Sequence, residues 1–452
     1  MPELNQLNTI NHPINTLAEA LESGRFLRMR RLLASLHPAE IAHLLESLPP
    51  LERKVCWPII NPELRGEVLS YLGEDVQTDL LLNMDTADLV SATEDLAPDD
   101  VADILQNLPE HVTHEVLHVM DSQHRRRVEA VLAYDEDTAG GLMNTDVVTV
   151  RSDITLEVVL RYLRLLDTLP ENTDSLYVVD HKDHYLGSLA LTQVVSRSRS
   201  LTVSEVMSHQ INAIHANTDA SDVALRFEKH DLISAPVVDK DNHLLGRITI
   251  DDVVDVIRDD AEHTMLSMAG LSEDEDTFAP VGKSIHRRSL WLGVNLLTAF
   301  LAAWVIGLFE TTLEKQVALA ILMPIVASMG GVAGSQTLTL VIRSMALGQL
   351  NEKNQRWLLR KEIAVGASNG LIWALAIAIV TSFWFSSIEL GLLIGAAIII
   401  NLIAAALAGV TIPVALKRFG IDPALSGGVL LTTVTDVVGF MAFLGFATLF
   451  IV

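Results

Sequence analysis

Asp436 occupies the position in this chain that most demands a chemical explanation. It stands in Leu430-Leu431-Thr432-Thr433-Val434-Thr435-Asp436-Val437-Val438-Gly439, inside an apolar run from about Ala424 to Val452. A carboxylate carried to the centre of a membrane helix costs roughly 2.5–3.5 kcal/mol. No Lys or Arg lies at comparable depth to pair with it, so a structural salt bridge is disfavoured. Three chemistries remain: a proton held as in a relay, a structural hydrogen bond, or attraction of a cation. Thr432, one helical turn earlier, shares its face and could add a second oxygen. An earlier apolar run holds Met323-Pro324 and then Gly330-Gly331-Val332-Ala333-Gly334-Ser335-Gln336-Thr337. Proline removes a backbone donor and glycine loosens the helix. Such backbone at membrane depth survives only inside protein or beside a water-filled path. Small residues also allow close helix packing. Gln336 and the neighbouring hydroxyls favour a polar lining that includes Gly330, Gly331 and Gly334.

Acids also gather outside the apolar runs. Asp99 and Asp103 are one helical turn apart, Asp231 stands alone, and Asp251, Asp252, Asp255, Asp259, Asp260 and Glu262 crowd one segment. Carboxylates at this density either form a solvated face or hold hard divalent cations such as Mg2+. The charge of the whole chain, −25, divides unevenly. Beyond residue 285 there are seven acids and ten bases, a net of +3, which leaves 50 acids and 22 bases, or −28, before it. Nucleic acid is a poor partner for such a field and cations are good ones. Cys56 is the only cysteine, so a disulfide scaffold is excluded.

Five runs are long enough for the ~20 residues that cross a bilayer. They are Ser289–Phe309, Gln316–Ile342, Ile363–Phe385, Leu390–Leu416 and Ala424–Val452. With these limits, Asp436 is read as the only acid in the interior of any span. Lys283, Arg287 and Arg288 precede the first span; Arg343, Lys353, Arg356, Arg360 and Lys361 lie between the second and third; Lys417 and Arg418 lie between the fourth and fifth. By the bias of basic loops towards the cytoplasm, all three segments lie inside, with the N-terminus inside and Val452 outside. Met1 to Thr16 is polar and reads as no signal peptide, in agreement.

The acidic half contains two repeats. His37-Pro38-Ala39-Glu40-Ile41-Ala42-His43-Leu44-Leu45 recurs as Ala97-Pro98-Asp99-Asp100-Val101-Ala102-Asp103-Ile104-Leu105, apolar at helical spacing after a proline. Tandem short helices of this kind predict an all-α superhelical domain over 1–136. Then Ser175-Leu176-Tyr177-Val178-Val179-Asp180 with Tyr185-Leu186-Gly187 returns as Ser234-Ala235-Pro236-Val237-Val238-Asp239 with Leu244-Leu245-Gly246. Each copy reads strand, polar turn, strand, helix. This α/β pair resembles tandem CBS domains, over 137–200 and 201–256. The resemblance implies an adenine-nucleotide contact, ATP included, at Gly246, Thr249 and Asp252. The first copy departs from that pattern at Ala190 and Gln193.

The order of helical repeats, CBS pair, connecting helix (257–285) and five-helix all-α membrane domain (286–452) resembles the MgtE family of magnesium channels. Tyr134-Asp135-Glu136-Asp137-Thr138-Ala139-Gly140, Gly330-Gly331, Gly334, Gln336, Asp422-Pro423-Ala424 and Asp436 carry the likeness. It implies a homodimer in the inner membrane that passes Mg2+, with Asp436, Thr432, Gly330, Gly331, Gly334 and Gln336 at the pore. Regulatory metal is implied at Asp99, Asp103, Asp231, Asp251, Asp252, Asp255, Asp259, Asp260, Glu262 and Asp422. It implies no enzymatic activity. Two departures stand out: Val332 replaces the family's usual asparagine, and His263-Thr264 replaces an acidic pair. From the residues alone, a proton-coupled divalent transporter using Asp436 as relay is the alternative.

Overall fold

The computed structural model describes Leu17 and residues 26–451, apart from 95, 167, 171, 211–212 and 272–274. The polar segment 1–16 and the start of the helical repeat at 18–25 lie outside the described residues. The chain divides into two compact units, one formed by 1–261 with 274–280 and the other by 262–273 with 281–452.

Proline sets the rhythm of the first unit. Short helices α1 (Phe26–Leu33), α2 (Pro38–Glu46), α3 (Pro50–Cys56), α4 (Pro62–Ser70), α5 (Glu74–Leu81), α6 (Thr86–Thr93), α7 (Pro98–Gln106), α8 (Glu110–Val119) and α9 (Ser122–Leu132) follow one another. Four begin on proline, whose missing N–H costs nothing at the first helical position and whose fixed φ suits it. At α2 a capping box sharpens the start: the His37 side chain accepts from the Ala39 amide, and Glu40 accepts from the His37 amide at 2.9 Å. Helices this brief are unstable alone. They are held by a shared core that includes Leu17, Met29, Ile41, Leu45, Val68, Leu80, Val101, Ile104 and Val131.

One buried cation ties this domain to the segment that follows the CBS-like pair. Arg53 is 1 % exposed, and its Nε donates to the Leu45 carbonyl at 2.8 Å. Its Nη1 and Nη2 grip Asp276 at 2.6 and 2.8 Å. Burial alone would raise the Asp276 carboxyl; hydrogen bonds and charge from Arg53 outweigh this and hold it below its ordinary range. Such a depressed acid stabilises above its unfolded pKa, and the contribution is lost as pH falls through the folded value. Arg53→Met is expected to destabilise this unit by about 3 kcal/mol, because the carboxylate stays buried without its partner. Denaturant unfolding checks this, and adding Asp276→Leu should recover most of the loss.

The repeated α/β part forms two small sheets of identical topology. In the first, β1 (Thr149–Arg151) runs parallel to β2 (Ser175–Val179), which pairs antiparallel with β3 (Tyr185–Ala190). In the second, β4 (Ile214–His215), β5 (Ser234–Val238) and β6 (Leu244–Thr249) repeat the order. Register agrees as well: Val178 faces Gly187 as Val237 faces Gly246. Helices α10 (Leu156–Leu163), α11 (Leu191–Ser196), α12 (Val203–Val206) and α13 (Ala220–His230) cover the sheets. The copies lock together at their turns. Asp180 takes the Nδ1 of His184 and Asp239 that of His243, at 2.9 and 3.0 Å, while the two imidazoles stack at 4.5 Å. The last helix, α14 (Ile250–Ser267), does not stop near 256, where the sequence suggests a boundary. No proline or glycine interrupts it before Gly270, so the end of the second copy and the start of the connecting helix are one element.

In the second unit all five expected spans are helices. They are α15 (Val281–Gly307), α17 (Ala318–Ala346), α18 (Glu352–Phe385), α19 (Ile388–Arg418) and α20 (Pro423–Phe450), with short α16 (Glu310–Lys315) between the first two. At 1.5 Å per residue, the shortest is about 40 Å long, more than the hydrocarbon thickness. Helix α19 is the most buried of the five and packs on α17, α18 and α20. The third span differs from the reading that starts it at Ile363. Its helix begins at Glu352, which carries Glu362 into the packed bundle at 4 % exposure. Asp436 is therefore not the only acid inside a spanning helix.

Candidate functional site

Two places concentrate the chemistry, one in each unit. In the membrane unit, α20 turns a polar edge to the side its neighbours leave open. Asp436 is half-buried, Thr432 one turn below is exposed, and Thr435 beside them is fully buried. The hydroxyls hold the helix's own carbonyls, with Thr432 Oγ1 donating to Gly428 O at 2.8 Å and Thr435 Oγ1 to Thr432 O at 3.0 Å. The exposed Thr432 hydroxyl keeps lone pairs available as an oxygen ligand, while that of Thr435 is closed off by its burial.

Helix α17 splits the sequence motif between two faces. Gly330 and Gly334 are buried seats for neighbouring helices: a Cβ would stand 2.2 Å from Asn401 Nδ2 at Gly330 and 2.8 Å from the Leu431 side chain at Gly334. Gly331 has open space around its Cα, and Val332, Ser335 and Gln336 are exposed. The open face of α17 is thus Gly331, Ser335 and Gln336, while Gly330 and Gly334 set how closely that face is held. On the packed side, Thr337 Oγ1 donates to Glu362 at 3.2 Å and Lys361 Nζ reaches the same carboxylate at 2.8 Å. Sequence reasoning missed both Glu362 and Asn401. The signal for Asn401 was present, a lone amide in an apolar 31-residue helix.

Asp422 caps α20, accepting from the Ala424 and Leu425 amides at 2.9 and 3.0 Å. Its Oδ2 also lies 3.3 Å from Nε2 of His263. The histidine that interrupts the acidic pattern therefore meets this carboxylate directly.

In the first unit the acids of α7 and α14 lie in one another's fields. Asp99 is buried, and its Oδ1 has no hydrogen-bond partner among the described residues. Burial first, then the charges of Asp252 and Asp100, hold its carboxyl well above the usual range. Burial with Asp251, Asp255 and Glu67 pushes Asp100 up to about 6. Asp103, though its side chain reaches solvent, is crowded by protein and by Asp100, Glu136 and Asp252, and rises to about 7. Asp252 also rises to about 7, from desolvation and Asp251, against the opposing bonds of Thr249 Oγ1 at 3.0 Å and the Thr249 amide at 3.3 Å. Carboxylates from two elements are here mutually repelling and partly dehydrated, and carboxylate oxygen is the ligand type that hard divalent cations take. Asp100 is one of these carboxylates and was not singled out by sequence.

The remaining acids are placed otherwise. Asp255 and Asp259 pair with Arg258 at 3.1 and 3.3 Å, and Asp260 accepts from Ser221 at 3.5 Å. Asp231 adopts a left-handed conformation, φ 49°, to end α13, and Glu262 is exposed. Among the described residues no hydrogen bond or ion pair brings Asp231 to Asp255 or Asp260. The residues expected to meet nucleotide are engaged within the protein. Thr249 and Asp252 bond each other, and a Cβ on Gly246 would stand 2.7 Å from the Asn144 carbonyl.

Comparison with known proteins covers both units. The chain matches family models described as MgtE intracellular N domain over residues 36–137, CBS domain over 139–199 and 203–259, and divalent cation transporter over 323–446. It is 31 % identical to the magnesium transporter MgtE of Thermus thermophilus over 440 residues, which covers 96 % of this chain and 97 % of that one. It is 26 % identical to the MgtE of Enterococcus faecalis, covering 99 % of each. Among solved structures, it is similar to the cytosolic domain of the Mg2+ channel MgtE in complex with ATP. Identity there is 33 %, over 54 % of this chain and 99 % of that one, with a TM-score of 0.49.

Proposed function

Because the chain belongs to the MgtE family of magnesium transporters, a multi-pass membrane family, we propose that it is a Mg2+ channel closed by cytosolic Mg2+. The observation that carries this reading is the half-buried Asp436 on the open edge of α20, with Thr432 one turn away. Two protomers facing each other through that edge bring two carboxylates to one path. Magnesium gives up its water reluctantly, so such a ring holds the ion through its hydration shell. Gly331, Ser335 and Gln336 on the open face of α17 supply further polar lining.

The membrane potential drives the flow. A divalent ion crossing 100 mV gains about 4.6 kcal/mol, worth about three decades of concentration. With that drive, no hydrolytic step is required. The acid set of α7 and α14 supplies the brake: the packed arrangement is strained by repulsion until Mg2+ neutralises it. Orientation follows the basic loops, with the acidic unit in the cytoplasm.

The test is Mg2+ uptake by the full chain in proteoliposomes under a potassium diffusion potential. Uptake is expected to follow the potential at clamped, equal pH, without proton movement, and to fall as Mg2+ rises on the side of the acidic unit. Uptake that requires a proton gradient at fixed potential would instead establish the relay role of Asp436.

A further inference from the structure

Three helices of the membrane unit meet at one side chain that no ion-path argument uses. Asn401, in the middle of α19, is the one amide or charged residue between Glu389 and Lys417. It is 1 % exposed. Its Nδ2 donates to the Val326 carbonyl of α17 at 2.9 Å. The same nitrogen fills the notches left by two glycines on different helices. A Cβ would approach it to 2.2 Å at Gly330 on α17 and to 2.7 Å at Gly439 on α20. Its Oδ1 is buried with no hydrogen-bond partner among the described residues.

As packing alone this is a poor choice. Leucine branches at the same carbon, would fill both notches with its two methyls and would bury no polar atom. Removing the buried, unpartnered Oδ1 relieves a desolvation cost that offsets the lost bond to the Val326 carbonyl. What leucine cannot do is fix register. An amide bonded to one backbone carbonyl, with glycines closing on it from two sides, permits a single alignment of α17, α19 and α20. Apolar surfaces alone slide past one another with little change in energy in lipid. Gly439 lies three residues past Asp436, and Gly330 directly precedes Gly331. The contact therefore determines where the acid of α20 stands along the open face of α17.

We propose that Asn401 is a positioning residue for ion passage. It does not touch the ion; it holds α17 and α20 in the register that sets the spacing of Asp436 from Gly331 and Gln336. The proposal rests on the transport reading above, and the experiment separates the two. Asn401→Leu in the full chain is expected to melt at or above the native temperature. Its Mg2+ uptake in proteoliposomes should nevertheless fall about tenfold, with a shifted half-saturating Mg2+ and a shifted preference for Mg2+ over Co2+. Gly330→Ala should also lose uptake, because its methyl strikes Nδ2. In the Asn401→Ala background the same Gly330→Ala change should cost little more, since the obstacle is gone. Native rate, half-saturation and ion preference in Asn401→Leu would overturn the proposal, as would losses that simply multiply in the double variant. If the native chain carries no Mg2+, the transport reading falls. The Gly330–Asn401 cycle is then read in thermal melting, where non-additive effects support the register contact and additive effects refute it.

Discussion

Asp436→Asn is expected to reduce Mg2+ uptake by at least about a hundredfold while leaving the protein folded. The electrostatics are large enough. A divalent ion about 5 Å from one carboxylate gains about 2 kcal/mol if water screens it fully, and about 6–7 kcal/mol at an effective dielectric near 20. A hundredfold loss corresponds to about 2.7 kcal/mol, within that range even before the second protomer's carboxylate is counted. Asparagine keeps the shape and the oxygen and removes only the charge, so the variant isolates the field from the fold. Asp436→Glu retains the charge but moves it by one methylene, and should leave an intermediate rate with altered ion preference. Thr432→Val removes an oxygen and no charge, and should cost far less. The check is initial uptake rate at fixed potential, normalised to reconstituted protein. Full uptake in Asp436→Asn would remove this residue from the ion path.

The second large effect concerns the brake. Replacing Asp99, Asp103 and Asp252 together by asparagine should make uptake indifferent to Mg2+ on the side of the acidic unit. Neutral side chains remove the repulsion, so α7 and α14 stay packed without metal, and the channel remains restricted at low Mg2+. The native chain should show the same physics through pH. The carboxyls of Asp100, Asp103 and Asp252 are raised to about 6, 7 and 7, from their ordinary value of 3.8. The packed form thus holds more protons than the unpacked one. Its stability is fully present below about pH 4 and is lost as pH rises through about 6 to 7. In metal-free buffer, protease resistance of the acidic unit should be high at pH 5.5 and low at pH 8. Mg2+ should restore it at pH 8, where it replaces the missing protons, and change little at pH 5.5. Equal protection at both pH values without metal would remove repulsion as the cause.

These two sites were legible in the sequence to different depths. Asp436 could be found from its surroundings alone, because an acid amid some twenty apolar residues has few explanations. The five spans were legible for the same reason, and the paired sheets because Gly187 and Gly246 sit at equal places in copies 59 residues apart. What stayed hidden depends on neighbours distant in the chain. Gly330 and Gly331 are adjacent letters, yet one is a packing seat and the other faces open space. Only the positions of Asn401 and Leu431 decide which glycine of the motif is structural. Hydropathy falls at Lys361-Glu362 and so hides Glu362 from the third span, whereas the helix, capped by Asn351, continues through both. The acids of α7 could be listed, but that Asp99 and Asp100 lie in the fields of Asp252 and Asp251 is a fact of folding. Asp231 and Asp260, equally plausible as letters, are not brought together.

The stacked turns of the paired sheets bear on how this sequence can drift over time. His184 and His243 share one stack, the Tyr185 amide donates to the Asn242 carbonyl, and the Leu244 amide donates to Asp183 O. Neither turn is an independent surface loop, so neither is free to lengthen or to mutate alone. A replacement at 184 changes the surface on which 243 rests, and compensation must come from the twin repeat. Among descendants of this gene, positions 184 and 243 should therefore vary jointly, and insertions should avoid both turns. Two copies that arose as duplicates would by this contact inherit a single mutational fate.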